Sequence, residues 1–334
     1  MPNLDFFVTL WPTFPHFERF AKDERLSGIR LNTAMVKNYE LDNEFETANN
    51  VGGHNPLYFD IKARQLRVKE VYPNENRLEL KLNRPIEVKT PTMVLFKAGE
   101  DCALLEEVRE KDKLIFKGGP NYMVYEGESL HIREDSLQVG GQTILNYEAE
   151  KIRKAREAGF DKYFISYVEG QRDIDEFREH VGDSQIEAKI ENKKGLEYVS
   201  RDYKKQENLN LVAACGDLYV EVDRPHDILD SLKLIVNKDP GAMAGSRMLL
   251  SLINSPVPSF ADLGQLAWLY DLGYRRMMLC DELCLKGNLL ARAVNVYEGF
   301  RDNYVANREK EKNTEKIGYN PFNKIKNKLM HFRI

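Results

Sequence analysis

The sequence predicts an α/β fold, a (β/α)8 barrel carrying a small inserted β-rich lid, and three observations carry that reading. Apolar strand-like runs alternate with amphipathic helical stretches, and eight such strands can be counted outside one interruption. That interruption, residues 68 to about 140, is made of short strands separated by turn signals. Several of the eight strands end in charged or amide side chains, the end at which such barrels place their chemistry.

Size and composition agree with this. A chain of 334 residues holds one barrel of about 250 residues with an insertion to spare. With 42% hydrophobic and 31% charged residues it has the balance of an ordinary globular chain, not of a disordered one. Its 49 basic residues against 53 acidic ones leave a net charge of −4, which gives no reason to expect nucleic acid or membrane as partner. An early acid, Asp5, argues against a signal peptide, and no apolar run approaches the roughly 20 residues that span a bilayer. Cys102, Cys215, Cys280 and Cys284 form no CxxC framework, so a reducing cytoplasm is expected. Zinc on Cys215, Cys280 and Cys284 is the alternative, but without a histidine at ligand spacing they read as buried small hydrophobes.

Taken in order, strand one is DFFVTL (5–10), followed by the loop WPTFP and a brief helix at 16–21. Strand two, GIRLN (28–32), delivers Arg30 and Asn32, and strand three, PLYFD (56–60), delivers Asp60. In the insertion, 68–72, 77–82, 93–96, 114–116, 122–125 and 129–133 fit strands between turns at Pro73-Asn74, Gly118 to Pro120, Gly127 and Gly140-Gly141. An insertion after a barrel strand lands over the active face, making 68–140 a candidate lid between barrel segments 1–67 and 141–301. Beyond it come a helix at 149–157, strand 162–167 and a helix at 171–181 with Ile174, Phe177 and Val181 on one face. Strands 186–190 and 211–214 follow, then a helix opening at Pro225 and expected to bury Ile228, Leu229, Leu232 and Val236. Strand 241–245, a helix at 247–254, a helix at 260–272 capped by Ser259 with Asp262, strand 275–279 and a helix to about 301 close the circuit. Residues 302–334 hold eight Lys or Arg against four Asp or Glu and read as a solvated, partly ordered tail.

Chemistry concentrates in the stretch EAKIENKKG, 187–195. An apolar strand there carries Lys189, Glu191 and Asn192 to its C-terminal end. Lysine supplies a positive charge for a phosphate and glutamate a hard oxygen for a divalent metal. A surface Lys-Glu pair is the bland reading of those residues alone. The next strand, however, ends in Cys215-Gly216-Asp217. Neighbouring strands lie roughly 4.8 Å apart, so Glu191 and Asp217 can share one magnesium ion.

With the strand ends aligned, the ordered series IRLN, DIKARQLR, KIEN, CGDL, MLLSLINSPVPS and MLCDE resembles pyruvate kinase, whose corresponding segments read approximately VRLNFSH, DTKGPEIR, KIEN, RGDLG, MLESM with a proline pair, and MLSGET. The resemblance covers most of residues 5–300 and puts the insertion where that family has its mobile B domain. It implies Lys189 and Arg30 as phosphoryl-contacting cations, Arg67 facing the nucleotide phosphates, and Glu191 with Asp217 as ligands of Mg2+ or Mn2+. It further implies that backbone at Ala214, Gly216 and Asp217 and the hydroxyl of Ser246 meet the substrate carboxylate, and that Asn32 and Asp60 remain from a potassium site. Departures touch that K+ site and the nucleotide side: Ala34 and Ile61 replace two oxygen ligands, Met35 a histidine, Gln65 a glutamate, Cys215 an arginine, Trp11 and Asp281 glycines. K+ is therefore not expected to be required: either Arg64, aided by Arg67, stands in for its charge, or Arg64 points into solvent and the site is simply degraded.

The expected activity is phosphoryl transfer between phosphoenolpyruvate and ADP, giving pyruvate and ATP. Two alternatives remain beside this ATP-binding, glycolytic kinase. One is a metal-dependent lyase or aldolase of the same superfamily, against which Arg30 and Arg67 argue; the other is a non-catalytic relative binding a metabolite or partner. The family's C-terminal regulatory domain has no counterpart in these residues, so a monomer or small homo-oligomer with hyperbolic kinetics is expected.

Overall fold

The computed structural model describes residues 4–33, 40–72 and 77–316; the expectations placed on Ala34, Met35, Pro73-Asn74 and residues 317–334 lie outside the described residues. The chain opens β1 (Asp5–Leu10), α1 (Phe17–Ala21), β2 (Gly28–Asn32), α2 (Leu41–Asn50), β3 (Leu57–Ile61). The insertion follows as β4 (Val68–Tyr72), β5 (Glu79–Leu82), β6 (Ile86–Glu87), β7 (Thr92–Phe96), β8 (Asp101–Arg109), β9 (Lys113–Lys117), β10 (Leu130–Ile132) and β11 (Gln138–Val139). The alternation resumes with α3 (Asn146–Glu157), β12 (Lys162–Ile165), α4 (Gln171–Val181), β13 (Gln185–Ile190), α5 (Lys193–Arg201), β14 (Leu209–Ala214), α6 (Cys215–Glu221) and α7 (Asp227–Lys238). It ends with β15 (Met243–Gly245), α8 (Phe260–Leu272), β16 (Arg276–Met278), α9 (Asp281–Cys284), α10 (Gly287–Phe300) and α11 (Ala306–Lys316).

Eight parallel strands close a barrel in the order β1-β16-β15-β14-β13-β12-β3-β2. The two-residue period of a strand then sorts its side chains. On β13, Ile186, Ala188 and Ile190 join the core between sheet and helices, so Glu187, Lys189 and the following Glu191 turn to the barrel axis. By the same parity Ile29 and Leu31 point outward and Arg30 and Asn32 inward, while Phe59 and Ile61 point outward and Tyr58 and Asp60 inward. Midway along the axis Phe7, Tyr58, Phe164, Val212, Met243 and Met278 form an apolar plug. Gly28 is required there, since a Cβ would stand 2.7 Å from the Phe7 ring and 2.8 Å from Tyr58.

The insertion folds as an antiparallel sheet, β10-β7-β8-β9-β5-β4, with β6 and β11 paired beside it, around its own core of Leu80, Val94, Phe96, Leu105, Leu114 and Phe116. Its root is pinned by buried Arg84, whose guanidinium donates to the carbonyls of Gln142 at 2.9 Å and Thr143 at 3.3 Å. Glu148 accepts the Ala63 N–H at 2.8 Å from the barrel side.

Several elements differ from expectation. Residues 122–125 form no strand, and the longest strand of the insertion, β8, was not expected because adjacent Glu106 and Glu107 break its alternation at a bulge. Instead of a helix at 247–254 there is one 3-10 turn, Leu250–Ile253, since Ser246, Arg247 and Leu249 have φ of 65°, 53° and 57°. The helix expected at Pro225 starts at Asp227 and leaves Leu229 52% exposed. Residues 302–305 do not begin a loose tail: α10 runs through one π-type turn into α11, Val305 is fully buried and Tyr304 stacks on Phe300 at 5.0 Å.

Candidate active site

The strand ends converge on a cavity of about 610 Å³ at the C-terminal mouth, lined among others by Arg30, Lys189, Glu191, Ala214, Gly216, Asp217, Ser246 and Asp281. Behind the Arg30 and Lys189 side chains of its wall lies Asp60, fully buried. Its Oδ2 accepts from Arg30 Nε at 2.8 Å and Lys62 Nζ at 2.6 Å, and Lys189 Nζ stands 3.9 Å from Oδ1. Burial alone would push the Asp60 carboxyl up, but Lys189, Lys62 and Arg30 outweigh it and hold the group well below the usual carboxylate range. Lys189 also donates to Glu191 Oε1 at 3.0 Å; burial disfavours its charge, yet Asp60 and Glu191 keep its pKa above normal. Arg30 reaches Thr9 Oγ1 at 3.2 Å and Asp281 Oδ1 at 3.3 Å, and Asn32 Nδ2 donates to Asp281 Oδ2 at 2.7 Å. Asp281, expected only as a replaced glycine, therefore orients two of the candidate side chains.

Glu191 is likewise fully buried, and Tyr167 N–H donates to its Oε2 at 2.6 Å. Burial raises its pKa, Lys189 opposes, and the nearby charge of Asp217 raises it again, so the balance lies well above the usual range. Two carboxylates that repel across one cavity are the donor set a divalent cation relieves. Asp217 accepts no hydrogen bond among the described residues and is partly exposed. Asp60 Oδ1 is buried without a hydrogen-bond partner among the described residues. Among the described residues no three of His, Cys, Asp and Glu form a ready-made cage. The carboxylates thus fit an ion that keeps waters or substrate oxygens, as Mg2+ does.

Ser246 Oγ accepts the Gly216 N–H at 2.9 Å, beside the Ala214 turn into α6, so hydroxyl and amide are already paired at the wall. Non-glycine residues with positive φ follow the barrel strands here: Ala63 at 45°, Tyr167 at 53° and Ser246 at 65°. Such conformations cost energy and persist where the surroundings over-determine them.

Two expectations are changed by the geometry. Arg67 is absent from the cavity lining; it donates to Gln65 Oε1 at 3.0 and 2.7 Å and to the Gly127 carbonyl, at the root of the insertion. Arg64 does not approach Asp60: it donates to Asp173 on α4 at 2.7 Å and to Thr143 at 3.1 Å. The cation beside Asp60 is instead Lys62, which sequence reasoning passed over although it lies two positions on from Asp60 and so on the same side of the chain. Ile61, one position between, packs outward into the core between sheet and helices.

The insertion sits against the mouth. Lys97, Ala98 and Glu100 of the turn after β7 join the cavity wall, and Arg247 donates to the Ala98 carbonyl at 3.2 Å. Arg133 donates to the carbonyls of Val222 at 2.6 Å and Asp223 at 2.9 Å, and Lys194 to that of Leu137 at 2.9 Å. His131 on β10, 1% exposed, sets Nδ1 against Glu221 Oε1 at 2.7 Å and the Tyr167 hydroxyl at 3.1 Å, with Nε2 3.6 Å from Asp217 Oδ1. Burial disfavours an imidazolium there, but Glu221 and Asp217 prevail and its pKa is raised. No helix among the described residues is long and apolar enough to cross a membrane.

No family model matches the chain. Its sequence is similar to pyruvate kinases: 25% identical over 67% of this chain to that of Methanocaldococcus jannaschii, 21% over 75% to that of Thermoplasma acidophilum, and 25% over 63% to that of Thermotoga maritima. The aligned parts are 53%, 49% and 46% of those relatives, so the chain spans about half the length of the proteins it matches. What is shared is thus a distant, partial likeness to pyruvate kinases, on a closed eight-stranded parallel barrel whose mouth gathers Arg30, Lys189, Glu191, Asp217 and Ser246 but not Arg67.

Proposed function

We propose that this chain is a pyruvate kinase-like phosphotransferase, moving a phosphoryl group between phosphoenolpyruvate and ADP to give pyruvate and ATP. The observation that carries the reading is one cavity in which Lys189 and Arg30, both kept charged by neighbouring carboxylates, face Glu191 and Asp217. Phosphoryl transfer asks for positioning and for positive charge on the transferring oxygens, with little covalent help from protein. Lys189 and Arg30 supply that charge, and because Asp60 and Asp281 already hold them, little reorganisation is needed when an anionic ligand arrives. Ser246 and the Gly216 amide offer a hydroxyl and an N–H to a carboxylate. Mg2+ or Mn2+ held by Glu191 and Asp217 would polarise and neutralise phosphate oxygens. The insertion, with Lys97 and Glu100 over the opening, acts as a lid that excludes water.

One observation favours a non-catalytic relative instead: Arg67, the expected nucleotide-side cation, is engaged by Gln65 and Gly127 outside the cavity. A coupled assay for pyruvate formation separates the two readings. Turnover that requires phosphoenolpyruvate, a nucleoside diphosphate and Mg2+ or Mn2+ together supports the kinase. Absence of turnover with every nucleotide, while phosphoenolpyruvate still binds by calorimetry, overturns it in favour of the binding protein.

A further inference from the structure

His131 is not accounted for by the fold. It is the polar member of an otherwise apolar strand, Leu130–Ile132, and it is buried at the seam between insertion and barrel. Its Nδ1 is fixed by Glu221, with the Tyr167 hydroxyl alongside, while Nε2 has no hydrogen-bond partner among the described residues and stands 3.6 Å from a carboxylate oxygen of Asp217. An orphaned, deeply buried nitrogen aimed at an acid asks for an occupant. The arrangement carboxylate, imidazole Nδ1, free Nε2 is the one by which proteins orient a metal-binding histidine, the carboxylate setting the tautomer and ring angle.

We infer that His131 Nε2 and Asp217 form a two-donor site, one nitrogen and one oxygen, for a divalent ion at the seam between insertion and barrel mouth; no third His, Cys, Asp or Glu among the described residues completes it, so water or substrate oxygens fill the remaining positions. Two donors each about 2.1 Å from one ion stand about 3.0 to 3.4 Å apart, and the observed 3.6 Å lies slightly beyond that spacing. Two consequences distinguish this from an all-oxygen site. Imidazole favours Mn2+, Co2+ and Zn2+ over Mg2+, so the site prefers the later ions beyond what carboxylates alone would set. Because His131 sits on the insertion and Asp217 on the barrel, metal binding also ties the two together. The competing account is an imidazolium clamped between Glu221 and Asp217, with no metal on nitrogen.

The inference rests on the proposed use of Asp217 as a metal ligand, but it is tested without catalysis. Mn2+ is bound to the full chain in the absence of nucleotide and phosphoenolpyruvate, its affinity is measured by calorimetry, and coordinated nitrogen is sought by electron spin-echo modulation. Expected are nitrogen modulation in the parent and its loss in His131→Gln. Glu221→Gln, which leaves the imidazole in place, should weaken Mn2+ by about 10- to 100-fold, the usual cost of removing such an outer partner. It should also shrink the preference for Co2+ over Mg2+. Bound Mn2+ without nitrogen modulation in the parent overturns the inference, and so does a parent that binds no Mn2+. If His131→Gln fails to fold, the parent spectrum and Glu221→Gln decide. An active kinase with an all-oxygen ion would sink His131 alone; nitrogen-bound Mn2+ in an inactive protein would sink the kinase reading alone.

Discussion

Two charged layers lie on the barrel axis, one on each side of the apolar plug, and they are built in opposite ways. At the foot, Glu187 is fully buried and Arg276 grips it through two nitrogens at 2.7 and 2.8 Å, while Asn210 donates to the same carboxylate at 3.2 Å. The depression there is larger than the cavity at the mouth, about 710 Å³, but Glu187 and Arg276, its most buried charges, satisfy one another. At the mouth, Asp60 is shared by Arg30 and Lys62 with Lys189 nearby, Glu191 is pushed toward protonation, and Asp60 Oδ1 and His131 Nε2 lack hydrogen-bond partners among the described residues. The same strands supply both layers: Glu187 and Lys189 are neighbours on one face of β13. The lesson is that burial of charge does not by itself mark a site. A closed pair is architecture, whereas a cluster whose protonation states are strained and whose atoms are left over awaits a ligand.

The largest effect should come from the foot and should be purely structural. Glu187→Gln leaves Arg276 largely buried opposite a neutral amide, and breaking one side of such a pair costs about 3 kcal/mol or more. A lowered urea midpoint with unchanged KM in the surviving folded protein is expected. If KM for a phosphorylated substrate rose instead, the foot would be a binding site and the contrast would fail.

At the mouth the expectation reverses. Lys189→Met should lower kcat by about 100- to 1000-fold, the loss of one preorganised electrostatic stabiliser at roughly 2.7 to 4 kcal/mol. Its urea midpoint should move far less than that of Glu187→Gln, since Asp60 keeps Arg30 and Lys62. Full turnover would remove Lys189 from the chemistry. A stability loss equal to that at the foot would make the mouth another structural pair.

A smaller effect separates the two acids. Glu191→Gln and Asp217→Asn should each weaken activation by Mg2+ by at least about tenfold, read as a raised half-saturating concentration. Glu191→Gln should also raise the melting temperature slightly, because it removes a buried charge that Asp217 repels. A variant with the parent's metal dependence would exclude that side chain as a ligand.

How much of this was legible in the sequence follows from what sequence can encode. The barrel was, because period-two strands and 3.6-period helices are local patterns, and so was the inward pointing of Arg30, Asp60, Lys189 and Glu191. Lys62 obeys the same two-residue rule, but nothing local in the sequence separates it from its equally charged neighbour Arg64, which the chain turns toward Asp173. His131 and Glu221 lie ninety positions apart on an insertion and a barrel helix, and their contact exists only once those two bodies dock. The left-handed residues after β15 were equally invisible: Ser246, Arg247 and Leu249 carry ordinary helical propensity, and tertiary packing overrides it.

The smallest expected effect is no effect, and it concerns potassium. A monovalent cation at the mouth would have to compete for Asp60, whose Oδ2 is already taken by a guanidinium at 2.8 Å and an ammonium at 2.6 Å. Burial pulls the Lys62 pKa down, Asp60 pulls it back up, and Lys189 and Arg30 lower it further, to about 7, so the ammonium is costly to keep charged and what holds its proton is mainly Asp60. Adding K+ beside three cations gains little attraction from a carboxylate they have already neutralised. Turnover and melting temperature should therefore be the same in potassium and in tetramethylammonium chloride. Lys62→Met removes the resident charge and leaves Asp60 less compensated, so this variant, unlike the parent, should gain both melting temperature and turnover when potassium replaces tetramethylammonium. Arg64→Ala should not, because Arg64 serves Asp173 and Thr143. Strong potassium activation of the parent would show that Asp60 Oδ1, which accepts no hydrogen bond among the described residues, binds the ion despite its neighbours, and the mouth would then need an external cation where the foot needs none.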